Sequence, residues 1–177
     1  MTILTSREIR NRHDTRFIPD LLQSLFIAEL LHPSEEIYLI SPWITDVKIL
    51  NNTAGEFTTL VPSWEWREIR LTELLLALVT RGTNLYIATR DEPINRAFLT
   101  LMREQPNPVK AYIHLRCSDT LHEKGLLTSH FFLSGTFNYT FSGITLNEEF
   151  GRLETDSSRV AENQIILASR WKEPATI

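Results

Sequence analysis

The chain has 177 residues, enough for one domain with a sizeable core. Its apolar fraction of 42% and charged fraction of 23% are ordinary for a soluble globular protein, and no apolar run is long enough to span a bilayer. A net charge of -4 excludes a uniformly basic nucleic-acid binder, so a phosphate-rich partner needs a local positive patch.

Residues 1–16 are polar and mixed in charge, and could form an arm that lies over the domain or over a partner. Arg7, Arg10, Arg12 and Arg16 there are either a positive patch or a solvated face. The stretch does not read as a signal peptide. From Phe17 to Leu31, Leu21, Leu22, Leu25, Phe26, Ala28, Leu30 and Leu31 recur at helical spacing, and Pro33 stops the helix. Glu36 to Ile40 reads as a buried strand that ends at Ser41-Pro42-Trp43, because Pro42 has no N–H for a ladder. Residues 46–66 show no clean period and form a long loop, with turns marked by Asn51, Asn52, Gly55 and Pro62. Trp64 and Trp66 in that loop either stack on a base or cover a pocket, or pin the loop to the core or a subunit interface.

Arg67 to Arg81 is predicted to be a helix closed by Gly82, and Asn84 to Thr89 the next strand. Pro93 opens a helix that runs to about Arg103, and Val109 to Leu115 is a third strand. This alternation argues for an α/β arrangement with a largely parallel sheet. A hairpin follows, Leu121 to Thr128 and Phe131 to Ser134, turning at Ser129-His130. A strand at Glu149 to Glu154 and a helix capped by Ser157 or Ser158 and ending near Trp171 complete one domain over residues 1–177.

The chemistry concentrates between Leu121 and Phe150. His122 and Lys124 alternate with apolar neighbours and so share one side of a strand. Gly135-Thr136-Phe137-Asn138 ends the next apolar run, and Asn147-Glu148-Glu149 follows. An imidazole, an ammonium, a carboxamide and a carboxylate are the groups that metal-free phosphoryl transfer needs. The imidazole attacks phosphorus, the cation and amide hold the oxyanions, and the carboxylate orients the ring. The competing use of His114, Cys117, His122 and His130 is metal ligation, but their spacing matches no standard zinc pattern. No metal and no cofactor are expected. The single cysteine, Cys117, rules out an internal disulfide and fits a cytoplasmic protein.

These residues resemble the signature of the phospholipase D superfamily, H-x-K, four residues, D, then G-S-x-N. His122 and Lys124 match the first part; Gly135, Thr136 and Asn138 match the last, with Thr136 keeping the hydroxyl of the family serine. Two features depart from the pattern. Ser129 stands at the family aspartate, which puts the local turn in doubt, and the spacing to Gly135 is one residue short. The resemblance implies an α/β fold with a mixed β-sheet flanked by helices on both faces. It implies catalytic roles for His122, Lys124, Asn138, Thr136 and Glu149, with Glu148 the alternative partner of the histidine. Ser41 and Trp43, in a Ser-Pro-aromatic element like one that such proteins often carry near the active site, and Gly135 are implied substrate contacts. Trp43 could equally be a core residue.

Because the chain carries one motif set, the resemblance further implies a homodimer with a shared active site, the second set coming from an identical subunit. The expected activity is that of a metal-independent phosphodiesterase working through a phosphohistidine, with DNA as substrate. A wider resemblance, carried by SPWITD, RLTELLLALVTRG, LHEKGLL and LSGTFNYTFSGITLNEE, is to phospholipase D-like proteins of bacterial DNA modification and restriction clusters, whose other products would be partners. A catalytically silent binding or scaffold subunit is the alternative. A lipid-cleaving enzyme is a third reading, although no amphipathic basic helix or anchor is present to serve it.

Overall fold

The computed structural model describes residues 5–11 and 17–172. Arg12 and Arg16, singled out in the sequence, lie outside the described residues. The strands are β1 (Ser6–Asn11), β2 (Glu36–Ile40), β3 (Lys48–Asn51), β4 (Glu68–Arg70), β5 (Asn84–Thr89), β6 (Ile113–Cys117), β7 (Gly125–Leu127), β8 (Phe132–Gly135) and β9 (Glu149–Glu154). The helices are α1 (Phe17–Leu31), α2 (Leu71–Val79), α3 (Arg96–Arg103) and α4 (Ser157–Trp171). Seven strands form one sheet in the order β1-β9-β8-β7-β2-β5-β6, and β3 pairs with β4 in a separate ribbon.

The sheet changes character at β2. On one side β2, β5 and β6 run parallel; on the other β7, β8, β9 and β1 are antiparallel to their neighbours. The sheet is therefore mixed, as the family resemblance implies, and not largely parallel as the early alternation of helix and strand suggests. The parallel strands are joined through helices, whereas the short turn between β7 and β8 can only return the chain antiparallel.

Strand alternation supplies a core on each face. Ile37 and Leu39 of β2, with Leu85, Ile87, Leu126 and Leu133, meet α1, α2 and α3 through Leu22, Phe26, Leu74, Leu78, Phe98 and Met102. Tyr38 and Ile40 point the other way and, with Ala88 and Leu127, meet Val160, Leu167 and Trp171 of α4. Helices thus flank both faces, and β2, buried on both, is the middle of the domain.

Several local readings change. Ser6–Asn11 is an edge strand on β9 rather than an arm, with Ile9 in the core. Residues 68–70 are strand and α2 starts at Leu71, because Asp46 accepts from the Thr72 amide and hydroxyl at 2.9 and 2.7 Å and holds the helix start. Trp64 is 3% exposed and pins the loop, which is organised by the buried Asn52; Trp66 is on the surface. The cap of α4 is Asp156, not a serine, accepting from the amides of Ser158 and Arg159. No helix among the described residues is long and apolar enough to cross a membrane.

Across the parallel strands Tyr38, Tyr86 and His114 stack at 4.8 and 4.5 Å between ring centres. Burial, and then the nearby Arg116 charge, hold the His114 pKa below its ordinary value, with Lys172 adding to and Glu36 opposing the shift. The unfolded chain therefore binds the proton more tightly. The stabilisation is fully present above the ordinary histidine range and is lost as pH falls through the folded value. On lowering the pH from about 7.5 to about 5.5, the melting temperature of the wild type should drop more than that of His114→Phe, as thermal unfolding monitored by circular dichroism would show.

Candidate functional site

The register brings five strand ends to one edge of the sheet. Ile40 lies beside Ala88 and Gly125, Gly125 beside Ser134, and Gly135 beside Gly151. The segments just beyond those ends carry Ser41, Arg90, His122 with Lys124, Thr136 with Asn138, and Glu149. This is the side of the carboxyl ends of the parallel strands, where open α/β sheets form ligand crevices.

His122 and Lys124 lie in an extended segment before β7 rather than within it. Strand pairing starts only at Gly125, opposite the last residue of β2, since beyond Ile40 the partner turns away through Pro42. His122 is exposed, and the Lys124 ammonium donates to its carbonyl at 2.8 Å. Glu123, between them, is tied to Arg170 at 2.7 Å. The imidazole meets the guanidinium of Arg90, whose Nη2 is 3.0 Å from Nε2 and 3.3 Å from Nδ1.

Asn138 is oriented from β2. The Ser41 hydroxyl lies 3.1 Å from Asn138 Oδ1 and 2.9 Å from the Trp43 carbonyl, so its one proton is shared between two acceptors. With the amide oxygen engaged, the amide N–H groups of Asn138 are the ones left to meet an anion. Beyond Asn138, Ser142–Leu146 form a turn of π-helix, and Gly143 is required there because a Cβ would strike the Asn138 carbonyl. Trp43 is 41% exposed, a surface residue at this edge rather than a core tryptophan.

Glu149 meets Thr136, not His122. The Thr136 hydroxyl donates to Glu149 Oε2 and accepts from the Phe150 amide at 2.9 Å, while Asn147 donates to Oε1 at 3.3 Å. The reason is register: β9 neighbours β8, whereas His122 precedes β7 and leans toward the β5 side, where Arg90 stands. Glu148 is exposed. Gly135 has a steric role, since a Cβ there would collide with the Phe150 carbonyl of β9.

Ser129 sits at the far end of β7, away from His122. The turn closes without an aspartate, as the Thr128 hydroxyl accepts from the amides of His130 and Phe131 at 3.0 and 3.2 Å and Ser34 accepts from Ser129 at 2.9 Å. His130 is at that same far end, so it and His122 are not neighbours. Among the described residues no three His, Cys, Asp or Glu side chains come together in a way that could hold a metal ion.

With this arrangement in view, the likeness to solved structures has a clear content. The phospholipase D family member Nuc from Salmonella typhimurium superposes with a TM-score of 0.56 at 15% identity, covering 94% of this chain and 92% of that one. The chain has the phospholipase D fold. NucT from Helicobacter pylori gives 0.54 at 10% identity over 91% of both chains. TrmBL2, an archaeal chromatin protein described as having a novel mode of DNA binding, gives 0.52 at 15% identity over 97% of this chain and 54% of its own. No protein-family model and no curated protein sequence matches the chain.

Within this phospholipase D-like fold, sequence reasoning missed Arg90 and Asn95. Arg90 follows directly on a parallel strand, a position that could have drawn attention. Asn95, fully buried in the turn that opens α3, left no signal beyond its residue type. Replacing Gly135 by Ala should destabilise the protein by about 1–3 kcal/mol, through overpacking against β9, which urea unfolding would measure.

Proposed function

We propose that this protein is a metal-independent phosphodiesterase acting on DNA. The observation that supports the reading is that the segments carrying His122, Lys124 and Asn138 lie at one edge of the sheet, Asn138 with its amide oxygen engaged by the Ser41 hydroxyl. In this scheme the His122 imidazole of one subunit attacks phosphorus, forming a P–N bond as the P–O bond to the leaving group breaks. His122 of an identical subunit gives its proton to the leaving oxygen and then takes one from the water that hydrolyses the phosphohistidine. Lys124 and Asn138 hold the non-bridging oxygens. Thr136, held by Glu149, is placed to fix the β8–β9 side of the site, with Ser41, Trp43 and Gly135 shaping the approach.

The DNA assignment rests on sequence resemblance. The four stretches around the motif look like the phospholipase D-like protein DpdK, encoded in bacterial clusters that insert 7-deazaguanine derivatives into DNA and restrict DNA lacking them. The corresponding role is a nuclease component of such a cytoplasmic defence system, acting as a homodimer with other cluster proteins. The fold shared with the DNA-binding TrmBL2, together with the engagement of Glu149 by Thr136 instead of His122, favours a second reading, a DNA-binding subunit without turnover.

Cleavage of unmodified single- and double-stranded DNA in EDTA separates the two. Wild-type protein should cleave, and His122→Ala should lose about 10³-fold or more of the rate. Binding without cleavage, in the presence of the neighbouring gene products, supports the second reading. Sedimentation beside the assay should show a dimer at micromolar concentration; a cleaving monomer would count against a shared site.

A further inference from the structure

Arg90 lies 32 residues before His122 and outside the motif pattern, yet it reaches the histidine at two points. Its Nε donates to the Leu121 carbonyl at 2.8 Å, fixing the peptide that leads into His122. Its Nη2 is almost equally far from both ring nitrogens, at 3.0 and 3.3 Å. Near-equal distances place that nitrogen across the ring rather than along one lone pair. The in-plane approaches to the two ring nitrogens are then left for a reacting atom on one side and a proton carrier on the other. A planar guanidinium can make both contacts from one side chain; an ammonium, a single point, cannot.

Arg90 is itself anchored. Asn95 is fully buried; its Nδ2 lies 2.8 Å from the Arg90 carbonyl, 2.8 Å from the Pro42 carbonyl and 2.9 Å from Thr89 Oγ1, so its two protons are shared among three acceptors, and its Oδ1 accepts from the Ile44 amide at 2.8 Å. One buried amide therefore fixes two arms. The first runs through Arg90 to His122; the second runs through the Ser41–Ile44 turn to Asn138.

We infer that Arg90 is a positioning residue for the His122 imidazole, held in place by Asn95, and that the arm it forms sets the ring in register with the oxyanion-holding amide of Asn138. The inference rests on His122 being the reacting group of the proposed phosphodiesterase.

Its test has one readout that needs no turnover. In long-range proton–nitrogen spectra of protein labelled with ¹⁵N-histidine, the His122 ring signals, assigned by their loss in His122→Ala, should move in Arg90→Gln and in Arg90→Lys, while those of His114 and His130 stay. Unmoved His122 signals in either folded variant overturn the inference. On bis(p-nitrophenyl) phosphate, Arg90→Gln should lower kcat about 100-fold with KM within about threefold, and Arg90→Lys should recover part of it through the Leu121 carbonyl. A raised KM with kcat kept would overturn positioning and make Arg90 a substrate ligand. An inactive wild type with shifted ring signals would sink the phosphodiesterase reading and leave the Arg90 contact standing. Should Arg90→Gln fail to fold, Arg90→Lys carries both arms.

Discussion

The domain depends on β2 having two different neighbours. It pairs parallel with β5 on one edge and antiparallel with β7 on the other, and its side chains are buried on both faces. A strand in that position cannot slip by one residue. A slip would exchange Tyr38 and Ile40, packed toward α4, with Ile37 and Leu39, packed toward α1 to α3. Because β2 is locked, the level at which β5 and β8 end and β7 begins is locked too, and the groups just beyond those ends come to one edge. Pro42 fixes where the ladder ends and lets Ser41 turn toward Asn138.

Much of this was legible in the sequence. The bounds of α1, β2, β5 and β9 follow from periodicity and from breakers such as Pro33, because each is a strongly patterned segment with its own stop signal. What failed was information held by distant residues. The direction of β7 to β9 depends on which strand they join, not on their own composition. β1 reads as polar because only its alternate residues face the core, and Ile9 alone marks that side. The short β4 was absorbed into the helical pattern that follows it, since Ile69 fits a helix face as well as a ribbon.

The site divides in the same way. His122, Lys124 and Asn138 were singled out by residue type and spacing, and the fold brings their segments to one edge of the sheet. The partners that aim them were not. Glu149 is near enough in sequence to serve either a histidine or a hydroxyl, and strand order decides for Thr136. Arg90 and Asn95 act over separations of 32 and 51 residues, where no local pattern exists. A buried amide bonded on all sides, such as Asn95, is costly to leave unsatisfied, so it fixes its neighbours more firmly than exposed contacts could.

The edge strand β1 has a consequence for handling the protein. It lies on β9 from Glu154 back to Glu149, so Glu149 pairs with Asn11, beyond the point where β8 stops opposite Gly151. Arg7, Glu8 and Arg10 place charges along the outer margin of the sheet, which discourages another chain from adding there. Trimming the amino-terminal segment would bare β9 instead. The molecule would then gain a sticky margin beside the very strand that carries Glu149, and a shortened version could assemble wrongly while its His122 and Lys124 remained intact.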